Sequence, residues 1–156
     1  MKIAVISASS KQPDWIRAGF EDYAKRFGGR VSLSLTEVPL PKRTRTAVVS
    51  RLIDTEGERM LAAIPAGARI VALDERGTSL STVDLAGRLQ GWVDIGAPVA
   101  LLIGGPDGLA PACLARADER WSLSPLTLPH GLVRVIVAEA LYRAWSVLQG
   151  HPYHRA

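Results

Sequence analysis

The chain predicts an α/β domain with a mainly parallel sheet and helices on both faces. Strand-like and helix-like segments alternate along it. The run from Val99 to Ile103 is strand-length and apolar throughout, as in the centre of a sheet covered on both sides. Glycine and proline fall between the segments.

The elements follow in order. Lys2 to Ser7 reads as a buried strand. Asp14 to Phe27 reads as a helix, because Ile16, Phe20, Tyr23 and Phe27 share one face, and Gly28-Gly29 stops it. Val31, Leu33 and Leu35 alternate with Ser32, Ser34 and Thr36, the pattern of a half-exposed strand. Pro39 and Pro41 break that pattern and open a basic loop with Lys42, Arg43 and Arg45.

Ala47 to Ile64 reads as a second helix, with Val49, Leu52, Ile53, Met60 and Ile64 on or near one stripe; Pro65 and Gly67 end it. Arg69 to Leu73 is a third strand. Ser81 with Asp84 three residues later has the form of a helix N-cap, and Leu85, Leu89 and Trp92 continue that helix's apolar face. Val99 to Ile103 is the fourth strand, Pro111 to Arg116 a short helix and Trp121 to Leu123 the fifth strand. Leu132 to Gly150 is the last helix, with Val137, Leu141, Trp145 and Leu148 aligned.

A chain of 156 residues, 47% apolar and 22% charged, is expected to form one domain, residues 1–156, without a disulfide or metal staple. No apolar run approaches the roughly 18–20 residues of a membrane span, and the N-terminus lacks the form of a secretory signal. A cytoplasmic location is expected. The single cysteine, Cys113, has no convincing base beside it in sequence and reads as a packing residue. The net charge of +4 suits a polyanionic partner without establishing one. The Lys42–Arg45 loop and the terminal His151, His154 and Arg155 are either solvated surface or part of such an interface.

Parallel sheets bind ligands beyond the carboxyl ends of their strands, which directs attention to the loops after Leu73, Ile103 and Leu123. Gly104-Gly105-Pro106-Asp107-Gly108 lets a ligand approach the backbone, but it is neither a dinucleotide fingerprint nor a Walker loop. By itself it is equally a tight turn without a ligand. Ser122 to His130 is apolar, rich in hydroxyls and stiffened by two prolines, a composition able to wrap an adenine. His130 stands before a helix N-terminus, where the dipole favours neutral imidazole; it is a cap, a packing residue or a site residue. No metal-ligand constellation or nucleophile elbow is present in the sequence, and no metal is expected. His151-Pro152-Tyr153-His154-Arg155 mixes groups that stack on bases and grip phosphate, or is a frayed end.

Taken together, these segments resemble one family along essentially the whole chain. They are similar to the small SPOUT-class methyltransferases that modify N3 of a pseudouridine in bacterial large-subunit (23S) ribosomal RNA. The resemblance rests on Pro13-Asp14-Trp15, Gly19-Phe20, Tyr23, Arg26-Phe27, Lys42-Arg43, Glu56-Gly57-Glu58, Leu73-Asp74, Leu102 to Gly105 and Gly108-Leu109. It is strongest at Leu126 to His130, Leu132 to Val135, Glu139, Leu141 to Ala144 and Pro152 to Arg155.

The resemblance implies a SPOUT fold with a C-terminal trefoil knot, bent S-adenosyl-L-methionine as cofactor, a homodimer, and ribosomal RNA on the assembled ribosome as substrate. By it, Leu73, Gly104, Leu123, Ser124, Pro125, Leu126, Thr127 and Leu128 would contact the cofactor. The tail of one subunit would complete the site of the other. The acceptor is a protonated imide nitrogen, so a neighbouring cation would ease its deprotonation. Arg134, Arg143 and Arg155 are the candidates for that role or for phosphate contact. His154 is a candidate for base contact or proton removal, and Tyr153 for stacking on the base. Glu139 would orient an arginine or stand as a solvated carboxylate. The rivals are a SPOUT enzyme acting on tRNA or on a different ribosomal base, a non-catalytic ribosome-binding factor and a nucleotide-binding flavodoxin-like domain.

Overall fold

The computed structural model describes residues 1–154; Arg155, Ala156 and the side chain of His154 lie outside the described residues. The elements run β1 (Lys2–Ala8), α1 (Asp14–Ala24), β2 (Ser32–Val38), α2 (Val49–Ala63), β3 (Arg69–Ser79), α3 (Thr82–Ile95), β4 (Val99–Ile103), α4 (Pro111–Arg116), β5 (Glu119–Ser122) and α5 (His130–Leu148). A short 3₁₀ turn covers Pro152–His154. Every strand pairing is parallel, and the order is β2-β1-β4-β3-β5. The apolar strand β4 is therefore central, as its composition requires.

Alternation along the strands divides the core in two. Ile3, Val5, Val71, Val99, Leu101 and Ile103 face Phe20 of α1, Leu85, Leu89 and Trp92 of α3, and Val137 and Leu141 of α5. Ile6, Ile70, Ala100 and Leu102 face the other way, against Met60 of α2 and Cys113 of α4. Cys113 is fully buried and its thiol donates to the Gly57 carbonyl at 3.6 Å, so it is a packing residue as expected. Burial raises its pKa, which keeps it protonated.

Several boundaries differ from the periodicity. Helix α1 stops at Ala24 rather than Phe27 because its last turn tightens: Arg26 donates to the Tyr23 carbonyl and Phe27 to that of Ala24. Phe27 still packs against Tyr142 and Trp145, which explains its place on the apolar stripe. Helix α2 is shorter than expected at both ends, and α5 is shifted two residues towards the N-terminus. Strand β5 ends at Ser122, before the expected Leu123.

The largest difference is in β3, which continues to Ser79. Leu73 and Thr78 both pair with Trp121, so the residues between them leave the ladder as a bulge. Gly77 permits the crossing: a Cβ there would stand 2.6 Å from the carbonyl carbon of Arg120. Period-two alternation does not register such an insertion.

Candidate functional site

The loops at the carboxyl ends of β3, β4 and β5 enclose a cavity of about 850 Å³, within the usual range for a small-molecule site of roughly 300–1,000 Å³. The β3 bulge contributes Asp74, Glu75 and Arg76 to its wall. The loop after β4 contributes Gly104 to Leu109, and the loop after β5 contributes Leu123, Ser124, Leu126, Thr127 and Leu128. Of the expected cofactor contacts, all but Pro125 line this cavity. Pro125 is exposed and is not among the residues that line the cavity.

The glycine loop is both a tight turn and a cavity wall. Gly108 donates to the Gly105 carbonyl at 3.0 Å, closing a turn with Pro106 at its second position. Gly108 has φ of 86°, a backbone conformation open to glycine. Gly104 must lack a side chain because a Cβ would lie 2.5 Å from the carbonyl carbon of Gly108. In the opposite wall, Ser124 Oγ accepts from the Leu126 amide at 2.9 Å and fixes the bend.

That bend leaves Leu126 74% exposed beside the cavity, with Leu123 exposed next to it. Apolar side chains held in solvent at the mouth of a cavity are surface for a ligand to cover. His130 lines the cavity at the first position of α5. Burial, and then the charge of Arg134, lowers its pKa, so the imidazole is neutral at pH 7. Trp121, Leu109, Leu114, Val133 and the bulge residues Glu75 and Arg76 also line the cavity, though nothing in the sequence assigned them to the cofactor site.

The expected catalytic residues are distributed differently. Arg134 is completely buried, which corrects its assignment as a cation for the base or a phosphate. Helix α5 carries it on the inward stripe with Val137 and Leu141. Its Nη2 donates to Ser9 Oγ at 2.6 Å and Ser7 Oγ at 3.3 Å, and Nη1 lies 3.5 Å from Glu37 Oε1. It ties the carboxyl ends of β1 and β2 to α5, and burial lowers its pKa.

Glu139, Arg143 and Tyr153 form one unit. Arg143 donates to Glu139 Oε1 through both Nε (2.9 Å) and Nη2 (2.6 Å), and Tyr153 Oη donates to the same oxygen at 3.0 Å. The Tyr153 ring packs edge-on against Tyr142 with centroids 4.6 Å apart, and Arg143 lies over it at 5.0 Å. Burial, then the neighbouring Tyr23 hydroxyl and the hydrogen bond to Glu139, raises the Tyr153 pKa. Tyr153 thus makes this hydrogen bond and these ring contacts within its own subunit. Glu139 orients Arg143, one of the two roles open to it. His154 as a reacting group and Arg155 lie outside the described residues. Among the described residues no cluster of histidine, cysteine or carboxylate side chains could hold a metal.

Residues 1–154 match the family model described as "Predicted SPOUT methyltransferase". The chain belongs to the SPOUT methyltransferase family. The match to this SPOUT family is supported at full length: the chain is 56% identical over 156 residues, covering 100% of both sequences, to the "Ribosomal RNA large subunit methyltransferase H" of Alkalilimnicola ehrlichii. It is 54% identical over 155 residues, covering 99% of each, to the protein of the same name from Thioalkalivibrio sulfidiphilus. A solved structure from Neisseria gonorrhoeae, described as a methylase family protein, superposes with a TM-score of 0.55 over 90% of this chain and 81% of that one. At 15% identity that likeness shows the fold alone. The cavity of this SPOUT methyltransferase therefore sits where its parallel sheet ends, and no described helix is long and apolar enough to cross a membrane.

Proposed function

We propose that the chain transfers a methyl group from S-adenosyl-L-methionine to N3 of a pseudouridine in 23S ribosomal RNA, acting as a homodimer on assembled ribosomes in the cytoplasm. The observation that carries this reading is a cavity walled by the three post-strand loops in a chain matching large-subunit methyltransferases from end to end.

The wall fits the proposed cofactor. Leu73, Leu123, Leu126, Leu128 and Val133 offer apolar surface for an adenine, while Asp74 and Glu75 offer acceptors for ribose hydroxyls. S-adenosyl-L-methionine supplies an activated methyl group on a sulfonium. The protein's part is to exclude water, hold the acceptor nitrogen in line at about 3–3.5 Å and favour its deprotonated form. Neutral His130, on the cavity wall, can accept a hydrogen bond. In this reading Glu139, Arg143 and Tyr153 anchor the start of the tail, so that His154 and Arg155 reach the partner subunit's site. Exposed Trp15 (63%) and Leu126 offer apolar surface for a second copy to cover. The trefoil threading of the C-terminal third belongs to the same proposal.

The test is methyl transfer from labelled cofactor to intact ribosomes, free large subunits and tRNA, with the product nucleoside identified by mass spectrometry. N3-methylated pseudouridine from ribosomes is the expected result. Label on tRNA alone overturns the substrate assignment. Replacing His154 or Arg155 is expected to remove transfer and spare cofactor binding; full activity in both variants removes the tail from the site.

A further inference from the structure

The basic loop between β2 and α2 is joined to the glycine loop through Arg43. Its Nη2 donates to Asp107, on the glycine-loop turn, and lies 3.9 Å from Glu56 Oε1 on α2. One nitrogen thus donates to Asp107 and stands at the edge of ion-pair distance from Glu56. Nε and Nη1 of Arg43 make no hydrogen bond among the described residues, and the side chain is 40% exposed.

Beneath this junction the packing is tight. Glu56 is 2% exposed, and neither of its oxygens has a hydrogen-bond partner among the described residues. A Cβ on Gly105 would meet Glu56 Oε2 at 2.9 Å and Leu40 of the basic loop at 3.2 Å. A Cβ on Gly57 would meet the Ala110 methyl at 2.5 Å. The basic loop and α2 thus form the floor of the loop whose upper face lines the cavity. Gly105 therefore has no room for a side chain between Glu56, Leu40 and the Ala8 carbonyl.

We propose that Arg43 is a positioning residue that binds a backbone phosphate of the RNA through Nε and Nη1 while Nη2 keeps the glycine loop, so that RNA and cofactor strengthen each other's binding. A guanidinium has a planar fork of donors and can serve a carboxylate and a phosphate at once; an ammonium is a point charge with no such fork. Lys42 and Arg45 lie in the same loop but make no ion pair among the described residues. They can add attraction for RNA without reaching the cavity wall. This inference rests on the function proposed above. Coupling of this kind is reciprocal, so it is measurable from either ligand.

The experiment measures co-sedimentation of the full-length chain with purified bacterial ribosomes, with and without S-adenosylhomocysteine, which cannot donate a methyl. The ratio of the two affinities is read, not either affinity alone. For the unaltered chain the ratio is expected to be at least about 5-fold. Arg43→Lys keeps the charge and is expected to bring the ratio to about 1, as is Asp107→Asn, which removes the anchor from the other side. Arg45→Lys is expected to keep the full ratio. A full ratio in Arg43→Lys and Asp107→Asn overturns the proposal, as does a ratio of about 1 in the unaltered chain. Absence of ribosome binding by the unaltered chain, with cofactor binding intact, overturns the ribosomal reading itself and is distinct from either result.

Discussion

Glu56 shows how a single side chain can run against its type. It falls on the inward stripe of α2 with Ile53 and Met60, so the helix takes a carboxylate into the apolar layer beside Gly105. Burial raises its pKa, opposed by the charge of Arg43. Folding therefore favours the protonated form. Its contribution to stability is complete below the carboxylate range of the unfolded chain and is lost as pH rises through the raised native value. Urea unfolding across that window is expected to show stability falling with pH, and Glu56→Gln is expected to flatten the fall. An unchanged slope in the variant assigns the effect to another group. The spacing from Ile53 and Met60 was legible in the sequence, but residue type argued for solvent. Arg134 repeats the lesson on α5: its position three residues before Val137 placed it on the buried stripe, while its charge suggested phosphate. Site residues were legible where they sit on short loops after strands. Charged side chains that a helix carries inwards were read by their charge instead of by their place on the stripe.

Among the elements, α3 was read most directly. Ser81 Oγ accepts from the Asp84 amide at 3.1 Å and Asp84 accepts from the Ser81 amide at 3.1 Å, the reciprocal pair expected from Ser and Asp three residues apart. Gly96, with φ of 77°, closes the other end. Ser81→Ala is expected to cost about 1 kcal/mol and lower the melting temperature by roughly 2–4 °C, measured by calorimetry. An unchanged melting temperature means that the cap is replaced by water. The β3 bulge was not legible. Nothing in the alternation of residues 69–73 announces that the chain leaves the ladder and rejoins it at Thr78, because the insertion is set by pairing with β5, far away in sequence. Glu75 and Arg76, two residues of the cavity wall, went unseen for that reason.

For the molecule as a whole, the parallel sheet, the central β4 and the position of the cavity all followed from patterning, because each depends on which residues must leave water. Threading and assembly do not depend on that alone, and came only from resemblance. Charge operates at this scale too. A net charge of +4 with basic groups gathered at Lys42–Arg45 is expected to make ribosome binding fall linearly with salt on logarithmic axes. Replacing both Lys42 and Arg45 with alanine is expected to reduce that slope by about 1 for each phosphate no longer neutralised, with cofactor affinity unchanged. An unaltered slope would move the RNA-facing surface elsewhere on the molecule.

Trp92 of α3 and Trp121 of β5 stack with ring centroids 5.5 Å apart and planes within 9° of each other, and Trp121 also lines the cavity. Two indoles held so close and nearly parallel share their electronic transitions. The protein therefore carries its own optical gauge: the near-ultraviolet circular dichroism of the pair is expected to change when a ligand settles against Trp121, without a label and without turnover.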